Sequence, residues 1–359
     1  MLTVSRLQSP GWWPTKGDAA RDSYAGTATC ARCHASKVAT QQQHAMARTG
    51  VRAAAADILR QHDHLSFRFG PYREQIITKA GKSVLSVTAS GAAPLSIDLR
   101  WAFGAGRMGQ TYVYEKNGSY YESHLTFFAV SQDLNITPGQ SPLTPRNLED
   151  AAGRRMPPAE SRACFGCHTT ASITNNQLDG NRAVPGITCE ACHGPGASHV
   201  VAMNSAQPDQ AATLIMNPAR LDPVASVDFC GACHRTWQDV VTNFGLVDAN
   251  VRFAPYRLEN SKCWTKPDAR LTCVACHDPH QPLDHDPAAY DSRCLACHVN
   301  QPGAKTTAAA RISDQLPPDH PGAACPVSTK NCTTCHMPRI VSPLQNSTFT
   351  DHWISKPAR

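Results

Sequence analysis

The feature that most constrains this chain is a five-residue pattern, Cys-x-x-Cys-His, that occurs seven times. The copies are Cys30 and Cys33 with His34, Cys164 and Cys167 with His168, Cys189 and Cys192 with His193, and Cys230 and Cys233 with His234. They continue with Cys273 and Cys276 before His277, Cys294 and Cys297 before His298, and Cys332 and Cys335 before His336. They use 14 of the 16 cysteines, where a shuffled chain of this composition would hold about 0.03 copies, so chance does not compete. Two thiols three positions apart on one helical turn can each form a thioether to a haem vinyl group, and the next residue can then ligate the iron from the same side. Structural zinc also uses Cys-x-x-Cys and His, but it pairs half-sites and gives no reason for a His after every second Cys. The pattern therefore predicts seven covalently bound haems c, with 14 Cys as attachment points and His34, His168, His193, His234, His277, His298 and His336 as iron ligands.

Haem attachment also bears on the interior. The chain has 359 residues, of which 41% are hydrophobic but only 7% aromatic. Six of the motifs fall within the 173 residues from Cys164 to His336, about 29 residues each, too few for separate side-chain cores. The expected fold is a mostly irregular and α-helical multihaem cytochrome, with short helices wrapped around a haem stack and a small antiparallel β subdomain inserted. Its expected divisions are an N-terminal extension (1–22), a first haem segment (23–60), a β-rich insert (61–145) and a six-haem domain (146–359). Close spacing singles out the motifs at Cys164 and Cys189, and those at Cys273 and Cys294, for direct haem contact.

The insert is read from alternation. Between His64 and Val130 the chain carries Leu-Ser-Phe-Arg-Phe, Gln-Ile-Ile-Thr, Ser-Val-Leu-Ser-Val-Thr, Leu-Ser-Ile-Asp-Leu-Arg-Trp and Thr-Tyr-Val-Tyr-Glu, separated by turn residues. Asn117-Gly118 suits a type I′ hairpin turn. The segment shows no catalytic pattern and reads as scaffold or docking element.

Nine other histidines can supply the second axial ligand. His199 follows His193 after a Gly-Pro-Gly turn, and His280 lies three residues past His277; neither can easily reach the far face of its own haem, so each should serve a neighbour. His44 lies on an expected helix following the first motif, and nearby Met46 reads as a packing residue. His352 near the C-terminus would tie down the tail. One of His62 and His64 is expected to ligate, with His64 preferred, and His320 completes the set; His124, on an expected strand, and His285, in a polar loop, read as ordinary side chains.

Cys263 and Cys325 remain, and in an oxidising compartment they read first as a disulfide. The formal charge of +6 comes from scattered Arg and Lys without a basic run, which excludes a nucleic-acid partner. A ferric bis-His haem with ionised propionates carries about −1, so seven haems nearly cancel the excess. No apolar stretch is long enough for a membrane span. The first 30 residues hold no apolar leader segment either, so the start is expected to be truncated or processed, the compartment being periplasmic or extracellular.

Several stretches resemble known proteins. Cys30-Ala-Arg-Cys33-His34 with His44-Ala45, and Gly186-Ile-Thr-Cys189-Glu-Ala-Cys192-His193-Gly-Pro-Gly196 with His199, resemble the multihaem c-type cytochromes with doubled haem motifs, a group related to the cytochromes of hydroxylamine oxidation. Cys273-Val-Ala-Cys-His-Asp-Pro-His280, and Cys332-Thr-Thr-Cys-His-Met-Pro338 with Phe349-Thr-Asp-His352, resemble multihaem cytochromes of environmental bacteria. The resemblance spans residues 22–55 and 160–355. It implies bis-His haems with His44, His199, His280 and His352 as distal ligands, and electron transfer in the cell envelope. Catalytic relatives carry a special haem, and this chain has no Cys-x-x-Cys-Lys. The supply of histidines favours an electron-transfer protein, passing electrons to redox partner proteins, other cytochrome subunits or a homopolymer of itself. The alternative is a reductase or oxidase of a small nitrogen or sulfur compound with one open iron.

Overall fold

The computed structural model describes residues 19–243, 248–261, 263–264, 271–298, 325, 327–343 and 346–356. These fall into two compact units, one running to Met216 and including residues 346–347, the other made of the remaining residues from Asn217 onward. The first holds the motifs at Cys30, Cys164 and Cys189, and the second holds the other four.

The first unit is built on a nine-stranded antiparallel sheet. Its strands are β1 (Gly50–Arg52), β2 (His64–Phe69), β3 (Tyr72–Lys79), β4 (Lys82–Thr88), β5 (Leu95–Phe103), β6 (Gly109–Lys116), β7 (Ser119–Phe128), β8 (Asp133–Ile136) and β9 (Gly153–Arg155). Strands β2 to β8 pair in sequence order, β1 adds to β5 and β9 adds to β7. Register slips between Leu99 and Trp101 and between Thr111 and Val113 bend the central strands, and β2 comes back against β8, so the sheet is nearly closed. Alternation drives this. Tyr72, Glu74 and Ile76 of β3, and Ser83, Leu85 and Val87 of β4, are buried while their neighbours face outward. Asn117 and Gly118 both take positive φ, 50° and 68°, as the β6–β7 turn requires.

The expectation of a mostly irregular and helical cytochrome, wrapped around a haem stack with only a small β subdomain, is thereby corrected. The sheet encloses its own side-chain core, in which Leu59, Ile76, Leu85, Val87, Tyr112 and Leu125 are fully excluded from solvent. That expectation lets haem replace side chains throughout the interior, whereas the 134 residues from Cys30 to Cys164 bury enough apolar surface to form a core unaided.

The second unit is helical and sparse. Pro223–His234 is capped by the Asp222 carboxylate, which accepts from Ala225 N, with Pro at the first helical position. Val240, Phe253 and Tyr256 form its small apolar cluster. No described helix is long and apolar enough to cross a membrane.

Candidate haem sites

All seven Cys-x-x-Cys-His motifs lie on helices that end or break at the motif His. The helices Pro158–His168, Cys189–His193, Pro223–His234, Asp291–His298 and Cys332–His336 stop on it, His277 caps Cys273–Cys276, and His34 interrupts Thr27–Gln41 with non-helical φ/ψ of −117° and 37°. Both thiols therefore share a helical turn and the motif imidazole stands at its end, an arrangement that would suit two thioethers and an iron ligand from one short segment.

The helices bring sulfurs together in pairs. The helices of the first and third, fourth and fifth, and sixth and seventh motifs pack together, which sets Cys30 beside Cys189, Cys230 beside Cys273, and Cys294 beside Cys332, close enough for each thiol to perturb its neighbour. Each of these contacts is made by the first thiol of its motif. The second thiols, expected to carry the other thioether, sit one turn further along: Cys167, Cys192, Cys233 and Cys297 are half-buried, while Cys33, Cys276 and Cys335 are exposed. All of them are thiols outside any disulfide, and Cys335 Sγ accepts from Thr334 Oγ1 at 3.9 Å. In the polypeptide the Cys30 contact holds the Cys189 thiol down at about 7 and pushes Cys30 far up. Burial pushes Cys164 up to about 12, and its neighbour Cys167 adds to the rise. Cys164, the first thiol of the second motif, lies beside Met156 Sδ at 3.9 Å. The sequence-adjacent pairs expected to touch are not those in thiol contact, although Cys276 and Cys297 are near enough to interact electrostatically.

Two carboxylates that sequence reading passes over hold these pairs in register. Glu190, inside the third motif and 4% exposed, accepts from Ala25 N (2.7 Å), Gly26 N (2.9 Å) and Gly196 N (2.8 Å), clamping the start of the first-motif helix. Asp291 accepts from Asn331 N (2.7 Å) and Cys332 N (2.8 Å), joining the sixth motif to the seventh, and these bonds lower its pKa. The only sequence signal is position, since each acid lies inside or just before a motif.

Candidate axial histidines differ in what their Nδ1 does. A ligating imidazole donates Nδ1–H to an acceptor, which leaves the Nε2 lone pair for the metal. His168 Nδ1 lies 2.8 Å from Thr49 O, His193 Nδ1 2.8 Å from Met216 O and His336 Nδ1 2.7 Å from Ser355 O. A carbonyl can only accept, so the proton is on Nδ1 in each. Phe103 stacks on the His168 ring at 4.9 Å and 11°, seating this motif on the sheet, where Phe165 also packs edge-on against Trp101 and Phe103.

Among the distal candidates, His199 Nδ1 donates to Ala211 O (2.9 Å) and His352 Nδ1 to Thr350 O (3.1 Å). Burial holds His352 below its ordinary pKa, favouring the neutral ring that a metal needs. The rings of His277 and His352 have centroids 6.2 Å apart. His280 turns its Nδ1 to Asp278 Oδ1 at 3.2 Å. His44 differs: it caps the turn Ala45–Arg48, and its Nδ1 accepts from Met46 N at 3.0 Å. His64 opens β2 on the outer face beside Gln75 Nε2, while His62 Nδ1 donates to Ile58 O at 2.9 Å and its ring lies 5.0 Å from Phe127. His124 is buried against Glu74 (2.9 Å), His285 is exposed and His320 lies outside the described residues. Cys263 and Cys325 are not joined by a disulfide in this structure.

Three comparisons bear on this arrangement. The model of the family cytochrome c554 and c-prime matches residues 144–194, which hold the second and third motifs. The crystal structure of the outer cell wall cytochrome OcwA is similar at 14% identity and a TM-score of 0.50, over 92% of this chain and 79% of that one. No curated protein matches. The family match supports a c-type cytochrome reading of the segment it covers, and the structural likeness bears on the fold.

Proposed function

We propose that this protein is an electron-transfer cytochrome of the cell envelope that carries seven covalent haems c, most of them ligated by two histidines, and that it is related to the cytochromes of hydroxylamine oxidation. One geometric observation carries the bis-His part. The rings of His277, a motif histidine, and His352, a distal candidate, have centroids 6.2 Å apart, so the fold already brings two imidazoles within reach of one metal ion.

Bound haem would supply one-electron exchange between ferric and ferrous iron. The chain's part is to fix each iron's ligands. Thr49, Met216, Ser355, Ala211 and Thr350 accept the Nδ1 protons of His168, His193, His336, His199 and His352 through their carbonyls, so these rings present Nε2 without reorientation. Glu190 and Asp291 hold paired motif helices together, an arrangement that would set their haems close to one another. The pairs that the thiol contacts favour are first with third, fourth with fifth and sixth with seventh.

A second reading rests on His44. Its Nδ1 takes a backbone N–H, so the ring proton sits on Nε2, and this side chain must change partners before it can cap an iron. An iron left open there would suit a reductase or oxidase of a small nitrogen or sulfur compound. Intact mass spectrometry of the holoprotein tests the cofactor count: seven haem increments are expected, and fewer would overturn it. The Cys30→Ala/Cys33→Ala variant should lose one increment.

A further inference from the structure

We infer that the outer face of β2 to β5 is a docking surface for a linear polyanion, specifically an acidic polysaccharide. The outward positions of these strands carry Arg68, Arg73, Lys79, Lys82 and Arg100 against one acid, Asp98. The face thus holds a net charge of +4, five cations less one anion, out of +6 for the whole chain. Propionates of attached haems offset positive charge elsewhere, but these cations stand on a sheet that carries no motif.

The register makes the concentration costly. Arg68 faces Arg73 directly across β2–β3, and Lys79 faces Lys82 directly across β3–β4. Like charges in directly opposed positions destabilise a sheet. Asp98 neutralises Lys82 at 2.9 Å, whereas no described carboxylate is paired with Arg68, Arg73 or Lys79. Charging an edge strand against aggregation would explain Arg68 on β2, but not Arg73, Lys79 and Lys82, which lie on the interior strands β3 and β4. An anionic ligand would turn both opposed pairs from a cost into a binding site.

Shape and chemistry select the occupant. Arg73 and Lys79 are six residues apart on β3, roughly 20 Å, and β2 to β5 span roughly 14 Å. That is about 300 Å², well below the roughly 800 Å² per partner of a standard protein interface. The outward positions also hold Ser66, Gln75, Ser86, Thr88 and Ser96, together with His64, Ile77 and Val84, and no Phe, Tyr or Trp, so there is no large aromatic face on which a nucleobase could stack. Two cation clusters joined by a mainly polar strip fit an extended chain of repeating carboxylates.

The test is binding of the full-length holoprotein to immobilised polygalacturonate across a salt series. Binding should weaken steeply with salt, and Arg68→Gln/Arg73→Gln should weaken it roughly tenfold and flatten the salt dependence. Lys79→Gln/Lys82→Gln should act in the same direction. An unchanged haem spectrum with a melting temperature no lower than that of the wild type would show that the variants are folded. Three results would overturn the inference: no low-salt binding by the wild type, an equal loss from the off-face control Arg220→Gln/Lys330→Gln, or capture by an acidic globular protein such as ovalbumin with none by polygalacturonate.

Discussion

Replacing Asp351 by Asn should destabilise the second unit and release one haem ligand together. Arg257 Nε donates to Asp351 Oδ1 at 2.7 Å and its Nη2 donates to Oδ2, a fork on fork pair with side chains only 17% and 7% exposed. The Asp351 carboxylate also accepts from Trp353 N (2.9 Å), and Ser261 Oγ donates to His352 O (3.2 Å) and accepts from Ile354 N (2.8 Å). The whole segment that presents His352 to His277 therefore hangs on this pair. Breaking a buried ion pair by removing one partner costs about 3 to 5 kcal/mol, and discounting for the partial exposure of Arg257 leaves about 2 to 3 kcal/mol. At about 2 to 4 °C per kcal/mol for a unit of this size, the melting temperature should fall by roughly 4 to 12 °C. The oxidised spectrum should gain one haem's worth of high-spin signal. Adding Arg257→Met to Asp351→Asn should recover part of the stability, because it removes the stranded guanidinium. A melting point within about 1 °C of wild type with an unchanged spectrum would refute the reasoning, as would a double variant weaker than the single one.

Other consequences are as direct. The Glu74→Gln variant should melt higher than wild type at neutral pH, with the gain shrinking as pH falls towards about 4. Burial raises the Glu74 pKa despite His124 beside it, so the folded state binds the proton more tightly, and stability is fullest below the unfolded pKa and falls as pH rises through the folded one. A wild-type advantage at neutral pH would contradict this. In Gly186→Ala a new Cβ would stand 1.9 Å from Ala47 O at a φ of 72°; a loss of about 2 kcal/mol or more in chemical denaturation is expected, and a neutral effect would mean that the turn after His44 is not held there. His199→Met should shift the spectrum and potential of one haem alone, read by spectroelectrochemical titration, and an unchanged titration would remove His199 from the ligand set.

Local features are legible in the sequence and long-range ones are not. Each Cys-x-x-Cys-His announces its own chemistry within five residues, and the strands from Leu65 to Glu115 fall where alternation places them. Asn117-Gly118 is a turn for the reason its side chains give. Closure of the sheet depends on β1 joining β5, on β9 joining β7 and on β2 meeting β8, pairings that no local pattern encodes. His124 reads as an ordinary strand residue, but its partner Glu74 lies 50 positions away and both are buried. Glu190 likewise finds Gly26 across 164 positions. Spacing points to neighbours in sequence for haem contact, while the thiols meet according to how the helices pack.

Low-temperature electron paramagnetic resonance of the oxidised holoprotein, with carbon monoxide added to the reduced form, tests the central claim that protein ligands, mostly histidines, cap the irons on both faces. The account predicts low-spin ferric signals only and no carbon monoxide shift. A high-spin signal equal to one or more irons that responds to carbon monoxide would contradict it and move the open-site enzyme reading, with the His44 region as its place, to the front.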